Sequence, residues 1–181
     1  MRSVYLPPWR VDLTIRNGVQ LPIAGASLAR SIAAALAVAK AQAPASIGLI
    51  LSDDTELASL NAAHLGHRGP TDVLSFPLLP PSAFPAHDGE PADRRRDPSP
   101  AGFALPPGRR PHLGDIVVSV ERAIEQALEG RGGHTGTVRW SPADELRLLV
   151  IHGTLHVCGW DHAEPLEESA MRALERGLLG R

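Results

Sequence analysis

The sequence predicts a single α+β domain over residues 1–181, with a mixed sheet of about four strands packed against about five helices. Three observations predict it. Short alternating or apolar runs of strand type interleave with longer segments of helical period. The chain is 43% hydrophobic over 181 residues, enough for one sizeable core. It carries no internal repeat, no heptad run and no interdomain linker.

The elements follow in order. Val11, Leu13 and Ile15 alternate with Asp12, Thr14 and Arg16, which gives a strand with one wet face, and Asn17-Gly18 signals a turn after it. Residues 25–42 are alanine-rich, with Leu28, Ile32 and Leu36 at helical spacing, and Pro44 closes that helix. Ser46 to Ser52 is a short apolar strand. Asp53 and Glu56 form the two halves of a capping box, opening a helix that carries Leu57, Leu60 and Asn61 and ends near Gly66. Val73 to Phe76 is a strand bracketed by prolines, which places it near a sheet edge.

Residues 78–112 are crowded with prolines and charges, including Arg94, Arg95 and Arg96, and are predicted to be a mobile loop inserted in the domain. Leu113 to Ser119 is a further strand and Val120 to Leu128 a helix. Gly130 to Gly136 is a glycine-rich linker, since no strand-to-helix phosphate-loop context surrounds it. Ser141 as N-cap, Pro142 at the first helical position and Asp144 three residues after the cap open the fourth helix. About Pro165 to Leu179 is the fifth.

The fourth helix carries the chemistry. Three of the eight histidines lie in His152-Gly-Thr-Leu-His156-Val-Cys-Gly-Trp-Asp-His162. His152 and His156 are four apart and leave one helix face a turn apart. Gly159 is placed to end the helix, so the chain can fold back and bring His162 to the same point. Three imidazoles suit Zn²⁺, which in catalytic sites commonly keeps three protein ligands and one open position. Imidazole sites also take other transition metals, so the native ion stays open. The spacing His-x-x-x-His-x-x-Gly-x-x-His makes this a zincin-like ligand helix, as in the metzincin proteases. Those proteases place glutamate directly after the first histidine as general base; here Gly153 stands there, so the peptidase mechanism lacks its proton acceptor.

Composition excludes other classes. A net charge of -2 offers no global basic field for nucleic acid, so a polyanion must meet a local patch. The single cysteine, Cys158, allows no intrachain disulfide, fits a reducing cytosol and reads as a small buried hydrophobe off the ligand face. The N-terminal stretch lacks a signal-peptide core, and no apolar run approaches the roughly 18 residues of a membrane span.

Three stretches together, Pro70 to Pro77 (PTDVLSFP), Leu113 to Ser119 (LGDIVVS) and His152 to His162 (HGTLHVCGWDH), resemble the signature of the bacterial YbeY family. The resemblance spans about Val11 to Leu179. It implies a single-domain, metal-dependent endoribonuclease of ribosomal RNA maturation and ribosome quality control, acting on single-stranded RNA with the small ribosomal subunit as partner, possible ribosomal protein contacts and a cytoplasmic location. It implies His152, His156 and His162 as ligands of one metal ion. Family members often carry an arginine four residues after the asparagine matched by Asn61; Leu65 stands there, with Arg68 three residues on as a candidate substitute. His152, Asp161 and Arg68 are the candidate catalytic residues. Asp161 reads as a turn-forming or imidazole-orienting acceptor, with general base as the alternative. A zincin-like metalloprotease and a non-enzymatic ribosome assembly factor are the competing functions.

Overall fold

The structure is a computed structural model that describes residues 1–94, 110–130 and 141–180. Five strands form one mixed sheet: β1 (Arg2–Leu6), β2 (Trp9–Ile15), β3 (Ala45–Ser52), β4 (Val73–Pro77) and β5 (His112–Ser119), in the order β1-β2-β3-β5-β4. The sheet therefore has one strand more than the sequence suggests. The extra strand is β1, which pairs antiparallel with β2 across the two-residue turn Pro7-Pro8. Its side chains are mostly exposed, and only Val4 and Leu6 pack on the core.

Strands β2, β3 and β5 run parallel, and β4 lies antiparallel to β5 at the far edge. Parallel neighbours need a crossover. Helix α1 (Gly25–Val38) connects β2 to β3, and α2 (Asp54–Leu65) with β4 connects β3 to β5. Helix α1 stops about four residues short of the sequence expectation, where Ala39 caps it and Lys40 takes φ 51°. At the start of α2, Asp53 accepts from the Glu56 amide as expected. The Glu56 carboxylate, however, bonds Arg16 and Ser52, so the reciprocal half of the capping box is diverted into tying β2 to α2.

Helix α3 (Val120–Glu129) follows β5 directly, and α4 (Pro142–Val157) and α5 (Pro165–Leu179) complete the chain. The main core joins one sheet face to α1, α4 and α5, through residues such as Val11, Ile32, Leu49, Ile116, Val118, Leu146 and Leu155. Because side chains alternate across a strand, Leu74 and Val117 point the other way and meet Leu57 of α2 in a smaller cluster.

Residues 78–94 depart from the expected mobile loop. Pro81–Ala83 forms a turn of 3₁₀ helix, Phe84 is buried in the main core, and the His87 ring stacks on Trp160 at 3.9 Å. Arg94 pairs with Glu167 rather than extending toward solvent. Composition missed this because the anchors of the segment are a handful of residues in an otherwise polar stretch. Residues 95–109, with Arg95 and Arg96, lie outside the described residues, as do residues 131–136 of the glycine-rich stretch.

Candidate metal centre

Helix α4 begins where the sequence places it. Ser141 and Asp144 close a reciprocal capping box, with Pro142 at the first turn. The helix is buried along most of its length, and two features of its packing set the site. The first is Gly153. A Cβ there would lie 2.7 Å from Ile116 Cγ2, 3.1 Å from Val73 Cγ2 and 3.2 Å from Ser75 Oγ. Helix α4 thus lies directly on β4 and β5 at this point, and Ser75 donates to the Gly153 carbonyl at 3.0 Å. A glutamate side chain has no room, so the proteolytic general base is excluded by packing as well as by sequence. The second is Gly159 with φ 87°, a conformation that side chains resist, at the turn that reverses the chain after the helix. That turn returns His162 to the ligand face.

The three histidines converge. Each offers a ring nitrogen, and these atoms all lie within 4.8 Å of one another. His152 and His156 are part-buried, and His162 is exposed. His156 Nδ1 lies 2.9 Å from the Trp160 carbonyl oxygen, which can only accept, so Nδ1 carries the proton and Nε2 a lone pair. His152 Nδ1 lies 2.7 Å from a Glu175 oxygen, a contact that turns its Nε2 toward His156. The two Nε2 atoms stand 3.0 Å apart. That separation suits a proton shared between the two nitrogens or a metal ion held by both. Tetrahedral zinc with bonds of about 2.0–2.1 Å would set its nitrogens roughly 3.3 Å apart. The donor set therefore fits a transition-metal ion. Burial, reinforced by repulsion from His152 and His162, lowers His156 from 6.5 to about 4, which keeps it neutral and able to ligate near pH 7.

The family model described as endoribonuclease YbeY matches residues 19–181. The chain is 33% identical to endoribonuclease YbeY of Roseiflexus sp. (strain RS-1) over 170 residues, 93% of this chain and 90% of the relative. The chain belongs to the YbeY endoribonuclease family. Its similarity to the YbeY of Salinispora tropica is 40% identity over 135 residues, covering 75% of this chain and 73% of that one. A solution structure of a Thermotoga maritima protein has the same fold, with TM-score 0.50 at 21% identity over 94% of this chain and 89% of that one.

Around the YbeY histidines, the structure adds residues the sequence did not single out. Glu175, on α5, is the carboxylate behind His152. Such outer partners fix the imidazole orientation and raise its basicity. Glu167 is fully buried at the start of α5 and accepts from the Asp161 amide at 2.9 Å, from His87 Nε2 at 2.7 Å and from Arg94 Nη1 at 2.5 Å. Burial opposes its ionisation, but the bonds from His87 and Arg94 outweigh that and hold it below the ordinary carboxylate range. Asp161 has the turn-forming role: its carboxylate accepts the His162 amide at 2.8 Å and pairs with Arg94 at 3.4 Å. Cys158 is buried off the ligand face, and burial pushes its thiol up to about 12, so it stays protonated.

Two clefts meet at the histidines. One, about 670 Å³, runs between α4 and α5 and is walled by Asp72, Glu145, Glu168 and Glu175, with Arg172 the one cation among its lining residues. The other, about 840 Å³, follows edge strand β4 past Thr71, Ser75 and Phe76 to His156 and His162. Leu65 is 56% exposed and lines this second cleft, so it adds apolar surface where an arginine would add charge. Arg68 is exposed on the loop after α2 and is not among the lining residues of either cleft. The structure thus brings His152, His156, His162 and Asp161 together and leaves Arg68 apart. Among the described residues, no helix is long and apolar enough to cross a membrane.

Proposed function

We propose that this protein is a metal-dependent endoribonuclease that cuts single-stranded RNA in the cytoplasm, in the maturation of small-subunit ribosomal RNA and in ribosome quality control. Its partners are ribosomal RNA, the small ribosomal subunit and ribosomal proteins beside the cleavage site. Membership of the YbeY family supports the reaction class. The observation that carries the metal is the convergence of three imidazoles, with the Nε2 atoms of His152 and His156 3.0 Å apart and His162 beside them. Zinc or a similar divalent ion held by these residues would acidify a water and polarise a phosphoryl oxygen.

The protein's own groups prepare the site. Glu175 and the Trp160 carbonyl orient the two imidazoles so that their Nε2 atoms face one another. Glu167 and Asp161 hold the turn that carries His162. The Gly159 reversal leaves the histidines at the mouths of both clefts, where a flexible strand of RNA can reach them. Peptidase chemistry is disfavoured because the position after His152 is filled by β4 and β5.

The test is metal analysis of purified protein combined with cleavage of a single-stranded RNA, with and without chelator, and with casein as the control substrate. The expected result is about one metal ion per chain and RNA cleavage that stops on chelation, with casein intact. Metal-loaded protein that binds ribosomal particles but leaves RNA uncut overturns the nuclease reading in favour of an assembly factor with a structural ion.

A further inference from the structure

Phosphodiester cleavage gathers negative charge on the non-bridging oxygens, and a fixed cation beside the ion stabilises it. The two clefts differ in what they offer. The α4–α5 cleft sets four carboxylates, Asp72, Glu145, Glu168 and Glu175, against one arginine. The β4-side cleft shares Asp72 and adds only Asp161, and among its lining residues Arg94 is the one lysine or arginine. A polyanion entering by the β4 side meets less repulsion and one guanidinium next to the histidines.

That guanidinium is placed in advance. Nη1 is anchored on the fully buried Glu167 at 2.5 Å. Among the described residues, Nη2 makes only a long 3.4 Å contact with Asp161, whose side chain is 44% exposed. An arginine has five N–H donors, and these two contacts leave others for a ligand. Its side chain keeps 19% exposure, so it is reachable from the cleft. Burial would weaken its charge, but the Glu167 bond together with the negative charges of Glu167, Asp161 and Glu90 outweighs this and keeps it protonated. Arginine in this state suits two-pronged recognition of phosphate.

We propose that Arg94 binds a phosphate of the RNA in the β4-side cleft, next to the scissile position, with Nη2 and the free N–H groups meeting its oxygens while Glu167 holds Nη1. The inference rests on the endoribonuclease reading for its substrate class. It assigns the segment after β4, expected to be a loop, a direct part in the site, and it leaves Arg68 outside.

The test uses metal-loaded protein and a short single-stranded 2′-O-methyl phosphorothioate oligonucleotide as a cleavage-resistant probe. Arg94→Ala is expected to lower affinity about tenfold. The slope of log affinity against log salt should fall by about 0.7, the loss of one single-strand phosphate contact. Zinc affinity, read by chelator competition, is expected to stay unchanged. Because Arg94→Ala leaves Glu167 buried without its cation, Arg94→Gln, which keeps an N–H donor for Glu167, is the second variant, and it should show the same loss. Arg94→Lys should recover part of the affinity. Unchanged affinity and salt slope in both variants overturn the proposal. So does a loss of zinc affinity parallel to the loss of RNA, since Arg94 would then act only through the Asp161–His162 turn. Wild-type protein that binds the probe through Arg94 but cuts no RNA overturns the nuclease reading alone. Wild-type protein that cuts RNA while the Arg94 variants bind and cut equally overturns this assignment alone.

Discussion

Removing Glu175 tests the architecture of the centre without touching a ligand. Its carboxylate sits 2.7 Å from His152 Nδ1, at the short end for a charge-assisted bond, with the side chain 12% exposed. It does two things: it holds the proton on Nδ1, so that Nε2 faces His156, and it raises the electron density on that Nε2. Glu175→Ala releases both constraints, and the imidazole is free to rotate or to carry its proton on Nε2. Loss of such an outer partner costs about 10–100-fold in metal affinity, or about 1.4–2.7 kcal/mol. Glu175→Gln keeps an acceptor but no charge. Neutral bonds are worth roughly half as much, so its loss should be roughly three- to tenfold. The assay is zinc competition against a chromophoric chelator at pH 7, with melting in excess chelator as the control for folding. Zinc affinity unchanged in Glu175→Ala refutes the reasoning. Equal large losses in both variants refute the charge argument and leave only packing.

Three further outcomes follow from the packing and the titration. Gly153→Ala should be destabilising in urea titrations, since a Cβ 2.7 Å from Ile116 overpacks at about 1–3 kcal/mol while helix propensity returns only about 1; a stabilised variant would contradict the close approach of α4 to the sheet. Phe84→Ala should cost about 3–5 kcal/mol, because the ring is 4% exposed within the main core; a cost below about 1 kcal/mol would restore the loose-loop reading of residues 78–94. For the metal-free protein, His156 is depressed from 6.5 to about 4 in the fold, so its neutral form contributes stability that is complete above about pH 6.5 and lost as pH falls toward about 4, at most about 3 kcal/mol. Melting temperatures across that window check it, and His156→Gln should flatten that part of the profile.

What the sequence shows and what it hides separate along a physical line. The start of α4 is legible because its cap is local: Ser141, Pro142 and Asp144 satisfy or omit the orphan amides of one turn. The histidine cluster is legible for the same reason, since helical spacing and one glycine suffice to bring three rings together. Strand β1 is not, because it buries little beyond Val4 and Leu6 and is recognised only by its pairing with β2. The order of residues 84–94 rests on partners far along the chain: Glu167 lies 80 residues from His87 and 73 from Arg94. Glu175 lies 23 residues beyond His152 on a different helix. No period or motif reports a single carboxylate that matters only once two helices have packed.

The same packing narrows the chemistry. A zincin protease takes its general base from the residue after the first ligand. Here α4 is pressed onto Ile116 and Val73 at Gly153, so that position can carry no functional group. Carboxylates near the histidines are already engaged, Glu175 with His152, Asp161 with the His162 amide and Arg94, Asp72 with the Val73 amide and Gln126, and Glu168 with Arg172. A reaction that demands a dedicated carboxylate base is poorly served by this arrangement. A reaction that demands stabilised negative charge would be better served, because three imidazole ligands would leave a bound ion its full charge and Arg94, in the role proposed above, would add a guanidinium in the cleft that follows the edge strand. Phosphodiester cleavage is of the second kind. The tight helix–sheet contact that removes a protease's base thus leaves, as the main resources of the site, the placement of its groups and the charge an ion would bring to three histidines.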